Sequence, residues 1–215
     1  MTQEITDHEV SRIPDAPKLT LVYPNGGADD VTPIADRRSA TPELLFAASY
    51  FSPWQGLDLL LGSLGSCNKE FILHLAGEMS PRDAEAAGRD PRVVVHGSLS
   101  PQEMRKVAEV CWIGVSSLAI ERQGFQTACP LKVRDYLAMG LPAVGNHLEV
   151  FPEAFPFYAR RAPDACSLLE AAHQWRAVSR SEVATTSHPY ISKKLILQAF
   201  YDELAQAWSN GEGRH

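Results

Sequence analysis

From residue 43 onward, short apolar runs alternate with stretches of helical periodicity, and no other feature of the chain restricts its possible folds as much. "ELLFAAS" (43–49) is followed by Leu57, Leu60, Leu61 and Leu64, spaced i, i+3, i+4, i+7 as on one helix face. "EFILHLAGE" (70–78), "RVVVHGS" (92–98), "CWIGVSSL" (111–118) and "LPAVGN" (141–146) continue the series of strands, with "FPFYAR" (155–160) as a weak further one. The charge-rich "SPRDAEAAGRDP" (80–91) reads as a loop with room for one helical turn. Ser100, Pro101 and Glu103 spell a capping box with proline at the first helical position, opening a helix that turns Met104, Val107 and Ala108 inward. Pro130 opens another, which Gly140 stops. Ala165, Leu168, Leu169 and Ala172 mark a further amphipathic face. A last helix is read over 190–208, with Leu197, Phe200, Tyr201, Leu204 and Trp208 on one side.

Near-continuous apolar strands in β-α alternation imply a parallel sheet covered on both faces, which is an α/β, doubly wound, Rossmann-like domain. A chain of 215 residues, 45% hydrophobic and 21% charged, suits one such domain. Its expected extent is 19–189, preceded by a polar segment (1–18) and followed by a helix packing on it (190–208) and a frayed tail (209–215). The formal charge of -6 provides no field for a polyanion, so nucleic acid is not an expected partner. No apolar run reaches the length of a transmembrane segment, and the acidic, polar start is unlike a secretory signal; a cytoplasmic location is expected. Cys67, Cys111, Cys129 and Cys166 are too scattered for a zinc site and are read as reduced, mostly buried thiols.

In a doubly wound sheet the ligand crevice opens where the strand order reverses, outside the carboxyl ends of the strands. For a 3-2-1-4-5 order the loops at that point are "SYFSPWQG" (49–56) and "AIERQGFQTAC" (119–129). The second feeds the helix at Pro130, whose unpaired N–H groups could hold a diphosphate, with Lys132 adding a formal charge. The bland alternatives are a solvated Lys132, and an Asp135 paired with it at i, i+3.

The succession "TLVYPNGGAD", "LLFAASYFSPWQGLDLLLGSL", "FILHLAGE", "RVVVHGSLSPQEMRKVAEVCWIGVSSL" and "PLKVRDYLAMGLPAVG", roughly residues 19–151, resembles the C-terminal, donor-binding half of the group 1, or family 4, retaining glycosyltransferases. These enzymes have two facing Rossmann-like domains, the GT-B architecture. The resemblance implies transfer of a sugar from a nucleotide-diphosphate sugar to an acceptor. The acceptor wall would come from a separate domain or subunit. It calls for no cofactor and no metal. It makes Asp135 the ribose ligand, sets the diphosphate against Cys129, Leu131 and Lys132, and wraps the loop carrying Gly124 and Phe125 around the sugar.

Two departures accompany it. Many members carry a glutamate eight positions before the ribose-binding acid, and here that position is Thr127; Glu121, in the same loop at a different spacing, is the other weak catalytic candidate. Where relatives often have an arginine and a lysine on the diphosphate, this chain has Tyr50 and Gln55, which removes leaving-group stabilisation worth several kcal/mol in comparable sites. Arg134, Lys132 or Arg122 could compensate, as could backbone N–H groups. These departures keep open a different class of function: a non-catalytic binding or assembly module that docks on a partner subunit.

Other residues take plain readings. His74 and His96 fall inside strands and read as core or strand-end residues, whereas His147 could line the crevice. Gly26 and Gly27 form a turn, because no strand-to-helix phosphate loop follows. "GSLGS" (62–66) lacks the nucleophile-elbow pattern. Trp54 either stacks on a ligand or packs on the neighbouring helix.

Overall fold

A computed structural model describes residues 2–13 and 20–210. Six parallel strands form one sheet: β1 (Glu43–Tyr50), β2 (Ile72–Glu78), β3 (Val93–Gly97), β4 (Ile113–Val115), β5 (Ala143–Gly145) and β6 (Tyr158–Arg160). Their order is β3-β2-β1-β4-β5-β6, so the reversal falls between β1 and β4, as a doubly wound reading requires, and the weak candidate at 155–160 supplies the edge strand. Leu45, Phe46, Leu75, Ile113 and Val115 are wholly buried, because helices cover both faces of these central strands.

The helices are α1 (Gln3–Ser11), α2 (Leu57–Ser63), α3 (Pro81–Ala87), α4 (Pro101–Val110), α5 (Leu131–Met139), α6 (Ala165–Gln174), α7 (Arg180–Ile191) and α8 (Lys193–Ser209). Ser100 and Glu103 form the expected capping box on α4. Gly140 ends α5 at φ 87°, where a Cβ would meet the Arg180 carbonyl at 2.5 Å.

Several elements differ from expectation. The stretch 80–91 holds a full helix, α3, because Ser80 accepts a hydrogen bond from the Asp83 N–H and Pro81 takes the first helical position. The last helix starts at Lys193, capped by Ser192, and α7 precedes it. The Ser- and Thr-rich α7 has no apolar stripe for periodicity to detect. On α8, Leu197, Tyr201 and Trp208 are exposed instead of packed. The polar start of the chain forms α1, capped by Thr2. The expected boundary at 18/19 and residues 211–215 of the expected tail lie outside the described residues.

Candidate functional site

Tyr136 fixes α5 to the sheet. Its ring occupies the space above Gly114, where a Cβ would come within 2.2 Å of it. Its hydroxyl accepts from the Ala47 N–H (3.0 Å) and donates to the Val115 carbonyl (3.3 Å), which joins α5 to β1 and β4 at the point of strand reversal. The front of α5 therefore faces the loop that leaves β1.

Between them opens a cleft of about 880 Å³, larger than the 560 Å³ groove lined by α2 and α3. Its walls are the carboxyl ends of β1 and β2, the 52–55 turn, Asn25, and Pro130, Leu131, Lys132 and Asp135 at the start of α5. Gly77 (φ 130°) lets β2 pass close beneath: a Cβ there would sit 1.7 Å from the Ala48 carbonyl oxygen. Among the described residues no side chain caps α5, whose N-cap is Pro130, so none of them occupies the positively polarised end of the helix as a built-in acceptor.

Lys132 is half-buried, and its ammonium donates to Gln55 Oε1 (2.7 Å) above the ring of Phe46, 5.3 Å from the centroid. Burial without a carboxylate partner pushes its pKa down from 10.5 to about 7. Ser117 donates to the same Gln55 oxygen (3.3 Å), so this amide is oriented by two donors. Asp135, one turn along, opens onto the cleft, and the surrounding protein raises its carboxyl above the usual value. Among the described residues it has no ion-pair partner, and in place of the alternative i, i+3 bridge to Asp135 the lysine bonds Gln55.

The other cations are held elsewhere. Arg134 is fully buried, pairs with Glu149 (2.6 Å), donates to the Asn25 carbonyl (3.1 Å) and stacks on Phe151. Arg122 makes a bidentate pair with Asp58 (2.8 and 2.9 Å) and donates to the Pro53 carbonyl (2.7 Å), tying the 120–123 turn to the 53–55 turn. Of the three cations that could compensate for Tyr50 and Gln55, only Lys132 reaches the cleft.

Of the expected donor residues, Tyr50, Gln55, Leu131, Lys132 and Asp135 line the cleft, whereas Gly124, Phe125 and Cys129 do not. Gly124 ends the 120–123 turn in the left-handed conformation, and Phe125 meets His8 of α1 edge-on at 5.6 Å. Cys129 is buried, its sulfur accepting from the Asn25 N–H (3.2 Å) and its carbonyl from the Asn25 side chain (2.6 Å). Neither Glu121, which is exposed, nor Thr127 lines the cleft. Thr127 holds a carboxylate from another part of the chain: Glu4 of α1 accepts from the Thr127 N–H (2.7 Å), the Thr127 hydroxyl (2.7 Å) and the Gln126 N–H (2.9 Å).

His147 is fully buried against the Ser117 carbonyl and does not line the crevice. His74 lies between Glu43 (2.8 Å) and His96 (2.9 Å), in keeping with a strand role. Trp54 lines the cleft. Asn25 is one of several wall residues that sequence reasoning passed over, with Gly77, Ser98, Leu99 and Met104 among the others. For Asn25 the local signal was its place in an Asn-Gly turn, and what gives it a role is contact with Cys129, 104 positions away.

The sequence model of "Glycosyl transferases group 1" matches residues 41–159, more than half of the chain. No curated protein sequence matches it. Among solved structures, the apo form of the lipopolysaccharide outer core galactosyltransferase WaaB superposes with a TM-score of 0.65 at 14% identity, covering 95% of this chain and 60% of that one. Sucrose-phosphate synthase from Thermosynechococcus elongatus gives 0.65 at 16% identity, with 98% and 58% covered. Anabaena HepE in complex with UDP and glucose gives 0.53 at 14%, with 77% and 49% covered. At such identities the likeness is one of fold, and this chain spans about half to three fifths of their lengths. The matched segment contains the whole β1 to β6 sheet except the last residue of β6, together with the α5 front and the loop that faces it, and on that match the chain belongs to the group 1 glycosyl transferases.

Proposed function

We propose that the cleft binds the diphosphate of a nucleotide-sugar donor, and that the chain is the donor-binding half of a transferase completed by a separate acceptor-binding domain or subunit. What carries this is the convergence of the β1 loop and the α5 front in one cleft, with Lys132 there held by a neutral amide and, among the described residues, by no carboxylate. The diphosphate would rest on the first N–H groups of α5, with Lys132 exchanging its neutral Gln55 partner for a phosphate oxygen. Asp135 would accept from the ribose hydroxyls. As the sugar leaves, the negative charge left on the nucleotide diphosphate would be met by the helix end and Lys132, a role that needs no metal or further cofactor. HepE has been solved with UDP-glucose, and the starch synthase IV catalytic domain from Arabidopsis thaliana with ADP, which supports a nucleotide diphosphate as the ligand class. The exposed Leu197, Tyr201 and Trp208 on α8 support a second half that covers them.

Calorimetric titration of the purified chain with UDP-, GDP- and ADP-glucose tests donor binding. One of them should bind, and Asp135→Ala should weaken it at least tenfold. Absence of heat with all three would favour the assembly-module function instead.

A further inference from the structure

Cys67 follows the turn at the end of α2, and Cys166 sits in the first turn of α6, 99 positions later; neither lines the cleft. Their sulfurs are 2.7 Å apart, so the 2.05 Å of a disulfide requires a further approach of only about 0.7 Å. Both backbones are already held in place. Arg92 donates to the carbonyls of Leu64 (2.8 Å) and Cys67, the Ala165 N–H donates to Ser63 Oγ (3.0 Å), and Asp164 caps α6 through the Ser167 N–H (2.9 Å). Cys67 is buried, while Cys166 is partly exposed and open to a small oxidant. Among the described residues the other two cysteines are engaged by groups other than sulfur: Cys111 donates to the Val107 carbonyl, and Cys129 accepts from the Asn25 N–H.

We propose that Cys67 and Cys166 are a redox modification site, closing to an intramolecular disulfide under peroxide and reopening under thiol reductant. The Cys166 thiolate attacks one peroxide oxygen, the O–O bond breaks, and a sulfenic acid and hydroxide result. The Cys67 sulfur then attacks the sulfenic sulfur, the S–S bond forms, the S–O bond breaks, and water leaves. Two thiols are oxidised by two electrons and one peroxide is reduced to two waters. The hydrogen bond to Cys67, then burial, hold the Cys166 thiol above its usual range, with Asp164 adding to this; Lys69 and Arg92 place opposing positive charge beside the pair, and attack proceeds through the thiolate fraction that remains. The bridge would tie α2 to α6 across a long loop and restrict the unfolded chain.

The test treats the full chain with hydrogen peroxide, alkylates it under denaturing conditions and measures intact and peptide masses. Before alkylation the expected product is 2 Da lighter than the reduced chain; after it, two of the four thiols are alkylated, and the digest contains a peptide pair joining 67 to 166 that dithiothreitol separates. The oxidised chain should also melt higher than the reduced one, a difference that Cys166→Ser abolishes. Oxidation that leaves Cys166 as a sulfenic or sulfinic acid without a bridge would overturn the proposal, as would a bridge between other cysteines or between two chains.

Discussion

The two faces of α5 treat their charges in opposite ways. Arg134 points away from the cleft, is wholly enclosed and is matched by Glu149, the Asn25 carbonyl and the Phe151 ring. Lys132 and Asp135 face the cleft, the first with a neutral amide for a partner and the second, among the described residues, with none. Elementary electrostatics makes Arg134 structural, because a buried charge persists only when it is paired. It makes Lys132 a charge kept for something else, since its pKa near 7 reflects desolvation that no carboxylate offsets. Arg122, held by Asp58, belongs with Arg134 in this contrast.

The largest expected effect falls on the structural face. Arg134→Met leaves the Glu149 carboxylate buried without its partner and should destabilise the fold by about 3–5 kcal/mol in urea unfolding; a neutral result would remove the contrast. Lys132→Met should leave stability unchanged or slightly higher, while nucleotide-diphosphate affinity falls by about 10- to 100-fold, the worth of one hydrogen bond to a charged group. A loss of stability without a loss of affinity would place Lys132 with Arg134.

A smaller effect sharpens the comparison through pH. Between about 7 and the ordinary lysine value of 10.5, the unfolded chain carries a proton on Lys132 that the folded chain lacks, so this group makes stability rise with pH across that window. The slope is bounded by about 1.4 kcal/mol per pH unit, and Lys132→Met should flatten the corresponding part of the unfolding curve. Nucleotide binding has the opposite sign: the phosphate should return the proton, so affinity should decline as pH rises above 7, with proton uptake seen as a buffer-dependent heat. The smallest effect concerns α1. The Thr127 hydroxyl, and then the backbone N–H groups, lower the Glu4 pKa, so the contact is complete near neutral pH and weakens as acid protonates the carboxylate. Glu4→Gln should shift the melting temperature little while speeding hydrogen exchange at the Gln126 and Thr127 amides.

The sheet was legible because its central strands are buried on both faces and read as unbroken apolar runs, and because the α4 and α5 ends carry local capping chemistry. The edge strand β6 and helix α7 were weak or invisible, since neither shows a strong period: β6 is only partly buried, and α7 mixes Ser, Thr and a proline. At the site, Lys132 and Asp135 could be found from a helix-start argument, which is local. Nothing local indicates that Gln55 accepts from Lys132 across 77 positions, that Arg134 turns inward, or that Glu4 reaches Thr127 across 123; each depends on which segments the topology brings together.

The central claim is that the α5 front and the turn after β1 form one nucleotide-binding surface. Amide NMR of the labelled chain titrated with UDP, GDP or ADP tests it most directly. With the nucleotide that binds, Leu131, Lys132 and the 52–55 turn should shift together along one saturation curve, while 146–150 around Glu149 stay still. Saturable shifts centred on the α2–α3 groove, or none at the α5 front with any of the three, would contradict it.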